Sequence, residues 1–176
     1  TQESVLSIVA RDIPASASLA LGGAALWLLM GVSAGVVAAT RPRSRIDRTI
    51  TAVALFFYSM PTFLVGQLLP FFLFFQLYRA GFEFFPPGSY VPFTESPLQW
   101  ARFLILPWFM IALVTGAAYA RLTRGAMLDA LGEDYIRTAR SKGLSERRVV
   151  LRHALRSSLT PVTTQFGIDL GTLMGG

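Results

Sequence analysis

The 176-residue chain contains no cysteine and one histidine. The first absence excludes a disulfide-stapled module and any thiolate-ligated zinc or redox centre. A lone imidazole excludes histidine-rich metal binding, and no metal site is expected. Charge is scarce as well. Asp, Glu, Lys and Arg make up 15% of residues, where soluble domains carry about 25%, and 53% of residues are hydrophobic. Mean hydropathy is +0.51. Disordered chains are poor in aromatics and rich in charge, so fourteen Phe, five Tyr and three Trp set disorder aside. This is the composition of a chain surrounded largely by lipid.

The charge is missing in blocks. Ile13 to Thr40, Thr49 to Tyr78 and Phe103 to Ala120 contain no charged residue. A helix rising about 1.5 Å per residue needs roughly 20 residues to cross the hydrocarbon layer. These runs predict spans at about 14–39, 50–78 and 102–120, the last extended by the snorkelling stems of Arg102 and Arg121. A fourth stretch follows Arg156, is interrupted at Asp169, and predicts an incomplete span at 158–176. One such run is explained by a buried helix of a large soluble protein, but three in so short a chain are not. Glu3 and Asp12 precede the first run, which is also too long for the apolar part of a signal peptide. The second run is longer than a bilayer core, so Pro61 and Pro70 are expected to bend it at one or both positions.

The connections set the orientation. Residues 41–48 hold four Arg and one Asp, residues 121–156 hold nine Lys or Arg, and the stretch from Arg79 to Arg102 has a basic residue only at each end. Short basic loops stay on the cytoplasmic side, which predicts 41–48 and 121–157 inside and 79–101 outside. The chain then begins outside, so it is expected to be an internal piece of a longer protein. One crossing is expected before Thr1, and the rest of the fourth run after Gly176. The pI of about 10.5 reflects these loops near anionic headgroups, and no nucleic-acid motif accompanies it. Membrane lipid is an expected partner and nucleic acid is not.

The basic loop is patterned. The third helix is expected to run on to Leu131 and stop at Gly132 in the left-handed conformation, with Asp134 as the next N-cap. Tyr135 to Lys142 gives two helical turns, Gly143 a second stop, and Ser145 a third start with Glu146 at the first helical position. Leu151, Leu155 and Leu159 then recur at four-residue spacing as an apolar stripe. Two short helices meeting at a glycine turn between spanning helices make either a loop packed on its own domain or a docking element for a cytoplasmic partner.

The run Asp134-Tyr135-Ile136-Arg137-Thr138-Ala139-Arg140-Ser141-Lys142-Gly143-Leu144-Ser145-Glu146-Arg147-Arg148, followed by Arg152-His153-Ala154-Leu155, resembles the cytoplasmic loop of bacterial ABC-importer permeases. Within them it resembles the B-type membrane subunit of the dipeptide/oligopeptide/nickel permease family. Ala120-Arg121-Leu122-Thr123-Arg124 with Met127 and Leu128 is similar to that family's approach to the loop, and Ser59-Met60-Pro61-Thr62-Phe63 to its kinked helix. The general pattern is Glu-Ala-Ala, three residues, Gly, nine residues, then Ile-x-Leu-Pro. With Gly143 as anchor, Ala139 and Leu155 keep it, while Arg137, His153 and Arg156 replace Glu, Ile and Pro. The acidic contact made by that Glu in other importers is therefore not carried over to this chain by the resemblance.

The resemblance implies an all-α polytopic transmembrane bundle of the type I ABC importer kind, residues 1–176 being part of a single permease domain with a cytoplasmic two-helix coupling loop. It implies a subunit of a bacterial inner-membrane importer of peptides or a related cargo (a nickel chelate or a glutathione-like molecule) that is not itself an enzyme and has no catalytic residue. Its implied partners are a second permease subunit, an extracytoplasmic substrate-binding protein, and two ATPase subunits that carry the ATP and Mg. No cofactor is implied in this subunit. The coupling residues become Asp134, Tyr135, Ile136, Arg137, Thr138, Ala139, Lys142 and Gly143.

Other residues are read from their surroundings. Asp169 is a carboxylate in a membrane-length run, which makes it a candidate for the translocation path. Gln67 is a second candidate, although it and Gln76 are expected to face the bundle interior. Gly22, Gly23, Gly31, Ser33 and Gly35 are expected to allow close helix packing. His153 is read as a packing residue. Phe82, Phe84, Phe85, Tyr90, Phe93 and Trp100 are expected at the outer interface. Two other classes fit the sequence less well. A membrane-embedded enzyme needs a catalytic constellation, which the sequence lacks, and a secondary transporter needs no ATPase and often shows internal repeats, also lacking.

Overall fold

The structure is a computed structural model that describes residues 5–81 and 90–175, with side chains described at 13–76, 78–81 and 90–172. Phe82, Phe84 and Phe85 lie outside the described residues. Every regular element described is helical: α1 (Val5–Thr40), α2 (Arg45–Ser59), α3 (Thr62–Leu69), a π-helical stretch (Pro70–Gln76), α4 (Leu77–Arg79), α5 (Pro97–Gly132), α6 (Asp134–Ser141), α7 (Glu146–Arg148), a second π-helical stretch (Val149–Ala154) and α8 (Leu155–Gly175).

Two helices are long and apolar enough to cross a membrane: α1 over Ile13–Thr40, and α5. The bend expected in the second run falls at Pro61 and is sharp. The run is broken, with α2 and the Thr62–Gln76 segment meeting at 104°, and it counts as a third membrane-length element only if the bent pair is one span. The cause is local. A proline disfavours the helical region for the residue before it, and Met60 (ψ 133°) and Pro61 (ψ 133°) are both extended. Pro70 acts more mildly, opening a π-helical stretch where its missing N–H leaves the ladder incomplete. The fourth run forms α8, with Pro161 inside it.

The largest interface joins α1 to α5. Hydrophobicity does not drive helices together in lipid, so close backbone approach must supply the attraction. Gly31 and Gly35 provide it. A Cβ on Gly31 would stand 2.6 Å from the Tyr119 Cβ and 2.8 Å from the Gly116 carbonyl oxygen, and one on Gly35 would stand 2.7 Å from the Ala120 carbonyl oxygen. Gly22 faces the Trp108 indole, whose N–H donates to the Ser18 carbonyl oxygen at 3.0 Å. Trp27 and Tyr119 are buried where α8 joins this seam, with Val162 and the half-buried Phe166 against them. The opposite surfaces are apolar and exposed, including Leu21, Leu29, Phe63, Phe72 and Ile168.

Gly31→Leu should destabilise the protein by about 1–3 kcal/mol or more, because the obstructing atoms are backbone. Gly125→Ala meets nothing within 4 Å and should be neutral or stabilising by up to about 1 kcal/mol. Thermal unfolding in detergent, run on both variants side by side, measures the contrast.

Candidate functional site

Three constructions meet on α5. The first is an ion pair at its far end. Arg124 donates from Nε to Asp47 Oδ1 at 2.6 Å and from Nη2 to Oδ2 at 2.8 Å. Asp47, 3% exposed, also accepts the Arg43 backbone N–H at 2.9 Å, and its own N–H donates to the Ser44 side chain that caps α2. Arg43 is held at φ +62°, the left-handed region, by this arrangement. The α1–α2 turn is thereby fastened to α5. Such a two-pronged contact is among the stronger kinds, and removing one partner strands a buried charge.

The second construction mounts α6. Ile136 (0% exposed) and Ala139 point into a core with Met127 and Ala130 of α5, Ala39 of α1, and Val149, Val150 and Ala154 of the second π-helical stretch. On the outer side Asp134, Tyr135, Arg137, Thr138 and Lys142 are exposed. Two local expectations are corrected. Gly132 ends α5 without left-handed backbone, and the corner is made by extended Glu133 (φ −71°, ψ 150°), which occupies the N-cap position in place of Asp134. Asp134 instead accepts from Arg137 Nη1 at 3.4 Å, and its carbonyl accepts the Thr138 hydroxyl at 3.0 Å. Gly143 does take positive φ, +76°, as the turn requires. Ser145 sits at the N-cap of α7 but uses its carbonyl, which accepts from Arg148 and Val149, and not its side chain.

Across the Gly143 turn Arg140 grips Glu146, Nε to Oε2 at 3.1 Å and Nη2 to Oε1 at 2.7 Å. The guanidinium holds the Glu146 carboxyl below its ordinary value of 4.5, and the carboxylate raises Arg140 in turn. His153 is half-buried beside Tyr135, Arg152, Arg156 and Ser157 on a shallow basic face.

The third construction is a cavity of about 690 Å³ between α1, α2, α3, α5 and α8, lined by Trp27, Tyr58, Met60, Thr62, Thr115, Tyr119, Gln165, Asp169 and Thr172 among others. Here Tyr119 Oη donates to Asp169 Oδ2 at 2.8 Å and Gln165 Nε2 to Asp169 Oδ1 at 2.9 Å. Gln67 does not line this cavity. Both it and Gln76 are exposed, against the expectation that they face the bundle; α3 turns Val65 inward and sets Gly66 beside Met110 of α5, which leaves Gln67 uncovered. The described residues contain no group of three or more His, Cys, Asp or Glu able to hold a metal ion.

The sequence did not disclose the Asp47–Arg124 pair, the Arg140–Glu146 grip, or Tyr119 as the partner of Asp169. Asp47, the one acid among the four Arg of its loop, is a signal that it has a dedicated partner. Nothing in the spacing identifies that partner 77 residues away.

Two membrane-length helices, a bent pair between them and a short helix packed on the end of α5 define a helical membrane component. The chain belongs to the family described as binding-protein-dependent transport system inner membrane component, whose profile matches residues 31–176. Among its relatives, the dipeptide transport system permease protein DppB of Haemophilus influenzae is 40% identical over 190 residues, covering 100% of this chain and 57% of its own length. The oligopeptide transport system permease protein OppB of Escherichia coli K12 is 37% identical over 164 residues, covering 93% and 50%. A Brucella abortus protein, provisionally named as a peptide transport system permease protein, is 40% identical over 172 residues, covering 98% and 53%. The chain spans about half the length of the curated relatives it matches. It is a multi-pass component of the bacterial inner membrane.

Asp47→Asn should cost about 3 kcal/mol, the low end for breaking a buried pair, since Arg124 is 29% exposed. A double-mutant cycle with Arg124→Gln, read by chemical unfolding, should return a coupling of similar size. The Arg140–Glu146 pair is exposed and contributes about 1 kcal/mol or less. With its folded value depressed, Glu146 contributes fully above 4.5, and the contribution fades as pH falls through the lower folded value. Hydrogen exchange at the Leu144 amide, which donates to Ala139, should therefore quicken relative to intrinsic rates on acidification, and should not in Glu146→Gln.

Proposed function

We propose that the full-length protein is a permease subunit of an ATP-driven peptide importer, and that α6 is the element through which a cytoplasmic ATPase moves it. The observation that carries this reading is the division of α6 into two faces. Ile136 and Ala139 are locked into a core shared with α1, α5 and the second π-helical stretch, while Tyr135, Arg137, Thr138 and Lys142 are exposed and free to be gripped. A short helix of this kind transmits force without deforming, because its own packing must yield before it can turn. Family membership supports the expected assembly: a second permease subunit, two ATPases holding ATP and Mg, and an extracytoplasmic binding protein. Peptides are the proposed cargo, after the dipeptide and oligopeptide systems named for the relatives.

In this reading residues 41–48 and 121–157 lie in the cytoplasm and 79–101 outside, with crossings at 14–39, 50–78, 102–120 and 158–176. The second crossing is the pair broken at Pro61. The cavity containing Asp169 is assigned to the translocation path, and Gln67, exposed on α3, to a stretch of that path completed by the second permease subunit.

Photo-crosslinking from Tyr135 or Thr138 in the assembled transporter should trap an ATPase subunit, and Arg137→Glu should lower ATP-driven uptake at least about tenfold with assembly intact. Uptake that persists after the ATPases are removed would instead mark a secondary transporter.

A further inference from the structure

Asp169 is held in a way that leaves it unfinished. An ionised carboxylate has about four acceptor positions. Tyr119 uses one on Oδ2 and Gln165 one on Oδ1. Among the described residues no Lys, Arg or His forms an ion pair with it. Arg121 lies over the face of the Tyr58 ring, 5.0 Å from its centre. The cavity wall contains no other charged residue, so the space carries one negative charge, with hydroxyls and aromatic faces around it. A lone carboxylate is too few ligands for a tightly held divalent metal, which takes several carboxylates or imidazoles. A primary ammonium suits it, since three N–H donors match open carboxylate positions and aromatic faces attract a cation.

Aromatic side chains narrow the ligand further. Trp27, 1% exposed, lines the same cavity and stands beside Tyr119, its indole N–H sealed from the surface. A single carboxylate among aromatic rings suits a primary ammonium. The cavity, at about 690 Å³, is large enough for several residues of peptide.

We propose that the cavity between α1, α5 and α8 is a transit site for the free amino terminus of a peptide, its ammonium on Asp169. The assignment deepens the transport reading and rests on it for the identity of the cargo. Tyr119 and Gln165 are positioning residues that hold the carboxylate toward the cavity.

The test is photolabelling of the assembled full-length transporter in nanodiscs with alanyl-photoleucine, with either a free or an acetylated amino terminus. The free form should label fragments containing 114–122 or 165–172 at least about tenfold more than the acetylated form. Asp169→Asn should abolish that preference, Asp169→Glu should restore part of it, and Tyr119→Phe should weaken labelling while keeping the preference. Equal labelling by both forms, or an undiminished preference in Asp169→Asn, overturns the site. Should Asp169→Asn fail to assemble, competition in the unaltered complex decides: methylammonium must displace the free peptide and N-methylacetamide must not. Selective labelling in complexes that show no ATP-driven uptake supports the site and overturns the transport reading alone.

Discussion

Lipid offers helices no hydrophobic reason to associate, so α1 and α5 are held by contacts that only glycine permits. At Gly31 and Gly35 the two backbones approach until no Cβ fits between them. Much else is positioned by this seam. It buries Trp27 against Tyr119, which orients the phenol toward Asp169, and it brings Ala39 at the end of α1 beside Met127 and Ala130 of α5. The Asp47–Arg124 pair then closes the same end from the α2 side. Loosening the seam would release the cavity wall and the seat of α6 together.

The two candidate working parts share one helix. Tyr119 in the cavity and Met127 under α6 are eight residues apart on α5, about 12 Å along its axis. No proline or π-helical turn lies between them, and Pro107, the internal proline of α5, is on the far side of the cavity residues. Under the proposed reading, displacement of α6 reaches the cavity through an unbroken rod. The break at Met60–Pro61 serves the opposite purpose, since it lets α3 take a direction unrelated to α2 while Met60 and Thr62 still line the cavity. Rigid transmission and a fixed corner are thus assigned to different helices by where proline falls.

The sequence was most legible where one residue acts through its own backbone. The charge-free runs marked α1 and α5, Gly143 marked the turn by its conformational freedom, and the glycines of the first run marked the packing face. It was less legible where the outcome depends on a neighbour. Pro61 announced a bend, but a 104° break needs Met60 extended as well. Gly132 had the chemistry of a left-handed stop, yet packing of Ile136 and Ala139 beneath α5 is satisfied by an extended Glu133. The polarity of Gln67 suggested an inward side chain, but α3 presents Val65 and Gly66 inward and leaves Gln67 exposed. The partners of Asp47 and Asp169 are distant in the chain, and residue type alone does not match them.

Under the proposed reading α6 moves with α5 as one body. The 176 residues contain no cysteine, so Asp129→Cys and Ser141→Cys, both at exposed positions, place two spin labels uniquely within them. Pulsed electron resonance on the assembled transporter, nucleotide-free and nucleotide-trapped, reads the distance between α5 and α6. A single narrow distribution, unchanged between the states, is the predicted result; a broad one, or a shift of several ångströms on trapping, contradicts the account.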